Sequence, residues 1–194
     1  HWIYEILVFA TGTGCRRGEI LALTWSDIDF ATPLAWINKS LEQTKEGLRI
    51  KSTKNRRARE IPLPAFIVET LQAHRDRQAQ ARLLMGTDYR TDLDLVFAGP
   101  DGEYWKPDTV SAAASAIARR AGLPGATHIF RHSHGSQLLA AGVTMTTVSK
   151  RLGHTSTHVT ASIYAHSFRR EDEEAAQKWD AVRKQAAERL SVKQ

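Results

Sequence analysis

The chain has 194 residues, 42% of them hydrophobic and 25% charged, enough for one sizeable core and too apolar for intrinsic disorder. No run approaches the roughly 18 apolar residues of a membrane span, and the opening HWIYEILVFATGTG lacks the length and basic flank of a signal peptide. A single cysteine, Cys15, excludes an internal disulfide and suits a reducing cytoplasm, while the net charge of +6 permits a nucleic-acid partner without requiring one.

Ile3, Ile6, Leu7 and Ala10 recur at helical spacing, so the chain opens inside a helix. With no initiating Met, it reads as a piece of a longer protein. Gly12 and Gly14 punctuate the end of that helix, and a short helical run resumes over Glu19 to Leu23. Asp27 to Phe30, Leu34 to Ile37 and Leu48 to Ile50 read as strands, separated by Thr32-Pro33 and Lys45-Glu46-Gly47. A last strand approaches Ile61, where Pro62 and Pro64 stop it.

From Ala65 a helix runs to about Met85, with Gly86 as its C-cap. Leu95 to Phe97 is a short extended piece before the turn at Gly99-Pro100-Asp101-Gly102. Pro107 and Asp108 suit the first turn of an Ala-rich helix that stops at Gly122. Thr127 caps the next helix, which ends near Gly142; Thr144 caps a shorter one ending at Gly153. Ser156 or Thr157 opens another that carries Tyr164. From Phe168 the chain is helical again, with Ala175, Trp179, Val182, Ala186 and Leu190 on one face. The expected fold class is α+β, a mainly helical domain with a small antiparallel three-stranded sheet near the N-terminus.

Charge is unevenly spread. Between Lys45 and Arg59 lie seven basic residues (Lys45, Arg49, Lys51, Lys54, Arg56, Arg57 and Arg59) and one acid, Glu46. Glu171 to Glu174 forms an acidic run later. Each cluster taken singly is an ordinary solvated surface; the basic one stands out because it falls among strand signals.

Three segments carry residues suited to chemistry. Thr13 to Ile20 places Arg16 at a helix start after a glycine break. His128 to Gly135 puts His128 and Arg131 on one helical face at i and i+3. Leu152-Gly153-His154 is followed, ten residues after the histidine, by Tyr164. A zinc site at His128 and His132 has the i, i+4 spacing but no following Glu or nearby Cys, and His134 points off that face.

Together these segments resemble the catalytic domain of the tyrosine recombinases, the phage-integrase family, over nearly the whole chain. The family's Thr-Gly-x-Arg-x-x-Glu box is matched by Thr13, Gly14, Arg16 and Glu19, its His-x-x-Arg box by His128 and Arg131, and its Leu-Gly-His followed by tyrosine by Leu152, Gly153, His154 and Tyr164. Ile129-Phe130 stands where an acidic residue and Leu are common, and Gly135 where Ala is usual.

The resemblance implies roles. Arg16 and Arg131 would clamp the non-bridging oxygens of a DNA phosphate and His154 would donate to the same group. Tyr164 would be the nucleophile, His128 its base or proton relay, and Glu19 a support that orients a neighbour. The family also places a general-acid lysine on a hairpin between the first two boxes. Lys54 is the choice, eight residues before Pro62, with Lys51 the runner-up. Lys45, Arg49, Lys51, Arg56 and Arg57 would contact DNA phosphates. No metal, ATP or other cofactor is implied, since arginines supply the positive charge.

The implied activity is cleavage and rejoining of double-stranded DNA through a 3′-phosphotyrosyl link, as a site-specific recombinase of a phage or mobile element, acting in the cytoplasm. Residues 1–167 would form the catalytic domain and 168–194 a helical tail docking on a neighbouring subunit of a homotetramer. The N-terminal core-binding domain usual in the family has no counterpart in this sequence. Two alternatives share part of the pattern. A type IB topoisomerase uses similar chemistry without strand exchange, and a helix-turn-helix regulator accounts for the basic stretch but leaves the ordered Arg, His-x-x-Arg, Gly-His and Tyr set unexplained.

Overall fold

The computed structural model of the chain describes residues 2–52, 58–123, 128–164, 178–180 and 182–184, with His128 by its backbone alone. Lys54, Arg56, Arg57, Thr127, Phe168, Ala175, Ala186 and Leu190 lie outside the described residues.

Helix α1 (Tyr4–Thr13) ends at Gly14, whose φ of 68° is the left-handed cap conformation that glycine adopts at no steric cost. Gly12, expected to help end this helix, lies inside it instead. A Cβ there would sit 2.5 Å from the Ile67 side chain, so the glycine serves close packing against α3 (Ala65–Met85) rather than termination. Helix α2 (Arg17–Leu21) follows at once, with Arg16 as its extended N-cap.

Strands β1 (Ile28–Asp29), β2 (Leu34–Ile37) and β5 (Arg59–Pro62) form an antiparallel three-stranded sheet in the order β1-β2-β5. Ile28, Ala35 and Ile61 fall in register across it and are all buried. Leu48 to Ile50, expected to belong to this sheet, instead lies in β4 (Gly47–Ser52), which among the described residues pairs with β3 (Lys39–Thr44) alone, in a separate hairpin. Strand β3 was not apparent in the sequence because Lys-Ser-Leu-Glu-Gln-Thr carries one apolar residue, the buried Leu41. Strand β5 ends at Pro62 as expected, with the proline itself in the strand's last position opposite Leu34, where an edge strand can spare the missing N–H. The hairpin lies tight on α2. A Cβ on Gly18 would meet the Leu41 carbonyl oxygen at 2.5 Å.

Helix α3 ends at Gly86 as the pattern predicts. Helices α4 (Pro107–Arg120), α5 (His128–Ala140), α6 (Met145–Leu152) and α7 (Thr157–Tyr164) complete the described fold. Pro107 opens α4, and the Thr144 hydroxyl accepts from the Thr147 N–H at the start of α6. The main core gathers α1, α2, the sheet, α3, Val96, Phe97 and the inner face of α4. A smaller cluster, Leu139, Val148, Leu152 and Tyr164, joins α5, α6 and α7. Among the described residues no helix is long and apolar enough to cross a membrane.

Candidate active site

Four elements bring Arg16, Arg131, His154 and Tyr164 to one cavity of about 250 Å³, with His132, Val159 and Ile163 completing its lining. The two glycine caps make this convergence possible. Gly14 turns the chain from α1 into Arg16, and Gly153, with φ 64°, turns it from α6 into His154. Backbone carbonyls at these two turns face the arginines. Arg131 donates to Gly14 O at 2.7 Å and to Leu152 O at 2.6 Å, and Arg16 donates to Gly153 O at 3.0 Å. Cations at helix C-termini satisfy orphan carbonyls and complement the dipole. Each guanidinium commits one N–H from a terminal nitrogen to each such bond, and the remaining N–H groups can serve an anion.

Beneath the cavity sits Glu19, 3% exposed. Its carboxylate accepts from the Arg16 backbone N–H at 2.8 Å and from the Arg16 guanidinium at 3.0 Å. Arg59 donates to both of its oxygens, at 3.0 and 2.9 Å. Burial works to raise the Glu19 carboxyl pKa. The hydrogen bonds and charge of Arg59, with those of Arg16, outweigh it and hold the group below its ordinary value, so it is ionised.

The cavity is strongly electropositive. Burial and the neighbouring Arg16 bring Arg131 down to about 10, still protonated near neutrality. Burial, Arg131, Arg16 and Arg59 lower His154 to about 4, so its ring is neutral at pH 7. Its Nδ1 lies 2.7 Å from the Thr160 hydroxyl on α7, which ties the Gly153-His154 turn to the helix bearing Tyr164. Tyr164 is 1% exposed. Burial raises its phenol pKa, and Arg131 partly counters this. The ring meets His132 edge-on at 5.6 Å between centroids and packs so near α5 that a Cβ on Gly135 would lie 2.5 Å from Tyr164 Cζ. That contact accounts physically for a glycine where alanine is usual.

The third histidine of α5, His134, has a different task. Nδ1 of His134 lies 2.8 Å from Thr11 O, and Arg151 Nε donates to its Nε2 at 3.0 Å. An acceptor on one side and a donor on the other fit only the neutral ring with its proton on Nδ1. Burial and Arg151 accordingly push its pKa down. Arg151 also donates to Pro62 O and Gly12 O. Both ring nitrogens of His134 are thus occupied, and among the described residues no three His, Cys, Asp or Glu side chains gather as metal ligands. Burial raises the Cys15 thiol to about 11, which keeps it unreactive.

The other expected residues are placed less fully. His128 begins α5, and Lys45, at the hairpin turn, and Arg49 and Lys51, on β4, are exposed, with Arg49 opposite Glu42 and Lys51 opposite Ser40. Lys54, Arg56 and Arg57 lie outside the described residues. Sequence reasoning missed Arg59 and Arg151. Arg59 had a legible signal, since it shares the two-residue period with the buried Ile61 and so faces inward. Arg151 had none, as Lys150-Arg151 resembles any basic helix end.

The phage integrase family model matches residues 1–171. A tyrosine recombinase XerC-like protein of Caldanaerobacter subterraneus is 33% identical, with 86% of this chain and 46% of the relative covered. The ICEBs1 integrase of Bacillus subtilis is 28% identical, with 87% and 46% covered. Among solved structures, the Tn1549 transposon integrase in complex with transposon right end DNA superposes with a TM-score of 0.73 at 21% identity, covering 90% of this chain and 59% of that one, a likeness of fold. The chain spans about half the length of the curated relatives it matches. On the family model's coverage, the chain belongs to the phage integrase family.

Proposed function

We propose that residues 1–167 form the catalytic domain of a site-specific DNA recombinase that cuts and rejoins double-stranded DNA through a 3′-phosphotyrosyl intermediate. The observation that carries this reading is the single cavity shared by Arg16, Arg131, His154 and Tyr164. The relatives named as recombinase and integrase, and the transposon integrase solved with DNA, support it.

In this mechanism the free N–H groups of Arg16 and Arg131 take the non-bridging oxygens of the scissile phosphate, where negative charge grows. His154, neutral and with Nδ1 in hydrogen-bond contact with the Thr160 hydroxyl, donates through Nε2 to the same phosphate. Tyr164 Oη attacks phosphorus and passes its proton to His128. The bond from phosphorus to the 5′-oxygen breaks, and Lys54 supplies the proton to that leaving oxygen. Attack by a 5′-hydroxyl of another strand reverses these steps, so the phosphotyrosyl bond conserves the energy for rejoining. Lys45, Arg49, Lys51, Arg56 and Arg57 hold the DNA backbone.

The tail, residues 168–194, docks on a neighbouring copy in a DNA-bound tetramer, and the work takes place in the cytoplasm of a bacterial host. Exposure of Trp179 and Val182 supports the docking. Nicked suicide duplexes carrying candidate attachment sites test the reading. The wild type should form a protease-sensitive covalent DNA adduct that survives detergent. Tyr164→Phe should form none while still binding the duplex, and an adduct from that variant would place the nucleophile elsewhere.

A further inference from the structure

Arg59 has no direct part in the chemistry just described, yet it joins two parts of the site that carry it, Glu19 beneath Arg16 and the end of α6 before His154. Its side chain is 6% exposed and its charge is matched by Glu19, 3% exposed. One guanidinium plane meets three acceptor oxygens on two residues. The terminal nitrogens donate to the two Glu19 oxygens, and Nε donates to Arg151 O at 2.8 Å, in the last turn of α6. The same plane lies under Gly153, where a Cβ would fall 2.8 Å from Nη1 and 3.0 Å from Cζ. Glu19 in turn grips Arg16, and Gly153 O accepts from Arg16.

We propose that Arg59 is a positioning residue, resting for its catalytic meaning on the function proposed above, that sets Arg16 and the Gly153-His154 turn relative to one another. The physical case is the shape of the group. Arg16 is partly exposed, with 42% of its side chain accessible, and a long exposed side chain holds one rotamer only when its partner is fixed. The fork of Arg59 fixes that partner by holding Glu19 at both oxygens, while Nε holds α6 through a carbonyl two residues before Gly153. A lysine keeps the charge that Glu19 needs but offers neither the fork nor the Nε bond.

The test uses the full chain labelled with ¹⁵N-arginine, and Arg59→Lys and Glu19→Gln variants whose thermal unfolding shows them folded at the assay temperature. In the wild type the Arg16 guanidinium N–H signals, assigned through Arg16→Lys, should show hindered rotation. Arg59→Lys should release it. With nicked suicide duplex at saturation, Arg59→Lys should slow adduct formation by about tenfold to a hundredfold, with the Kd for that duplex unchanged. In an Arg16→Lys background the further loss should be about twofold or less, because the two residues act through one contact. Unchanged Arg16 signals in Arg59→Lys overturn the proposal, as does an equal loss of rate in both backgrounds. If the wild type forms no adduct, the recombinase reading fails, while the Arg16 signals still decide whether Arg59 positions that residue.

Discussion

Tyr164 and Gly135 share one space: the phenol ring at the end of α7 occupies the volume that any side chain at position 135 of α5 would need. Gly135→Ala must therefore displace the ring or part the helices. Overpacking of a closed core costs about 1–3 kcal/mol, and the gain of roughly 1 kcal/mol in helix propensity offsets part of it. The variant should be less stable in urea, and Tyr164 should become accessible to nitration, which its 1% exposure now prevents. Unchanged stability and an unreactive Tyr164 would show that α7 yields at no cost.

The two arginines of the cavity should separate by experiment. Arg16→Ala and Arg131→Ala should each slow adduct formation by about two to three orders of magnitude, equivalent to roughly 2.7–4 kcal/mol, as loss of one oxyanion donor does. Loss of Arg16 strips one donor from Gly153 O and one from Glu19, which keeps Arg59, so the larger loss of fold stability should come from Arg131→Ala. It leaves Gly14 O and Leu152 O without their donor, at about 1–3 kcal/mol for each carbonyl that stays buried. Chemical denaturation of the two variants side by side measures the difference, and equal stability would show that water replaces Arg131 at both carbonyls.

Acid should weaken the fold before its carboxylates titrate. His154 is held at about 4 by burial and the flanking arginines, and His134 is lowered by burial and Arg151. A depressed histidine pKa means the unfolded chain, titrating near 6.5, binds the proton that the folded chain refuses. Stability is thus complete above about pH 6.5 and falls as pH drops towards 4. Loss of the depressed Glu19 carboxylate adds to it only at the acid end of this window. His154→Gln should flatten the fall in Tm between pH 6.5 and 5, and an unaltered slope would mean that His154 protonates freely in the fold.

The sequence carried the long-period features of this fold well. Helix α3 (Ala65–Met85) with its Gly86 cap, and the Thr144 and Gly153 caps of α6, are written in local residues, and they stand where spacing put them. The cavity residues were found through the ordered boxes that resemble the tyrosine recombinases; Arg16, His154 and Tyr164 also sit at an N-cap, after a left-handed glycine and at a helix end, whereas Arg131 lies inside α5. What escaped was set by tertiary partners. Strand β3 has too few apolar residues to show a period, and its place is fixed by pairing with β4 and the approach of Gly18. Gly12 reads as a helix stop until Ile67 is brought against it. Arg59 looks like one more cation of a basic run; its two-residue period with Ile61 turns it inward, and its partner is a buried acid 40 residues earlier.

The basic hairpin should act through salt and through proton transfer, and the two can be told apart. Neutralising Arg49 or Lys45 removes at most one phosphate contact, so the slope of log affinity against log salt should become shallower by about 0.9 or less. Lys54→Ala should act more selectively, because the proton assigned to it goes to the leaving 5′-oxygen. A duplex with a 5′-bridging phosphorothioate at the cut site has a leaving group that needs no proton. That substrate should restore cleavage by Lys54→Ala and leave Arg16→Ala and Tyr164→Phe inactive, since phosphate clamping and nucleophilic attack are still required. Rescue of Lys51→Ala in its place would assign the general acid to β4, opposite Ser40. If neither lysine variant is rescued, the hairpin only binds DNA and another group protonates the leaving strand.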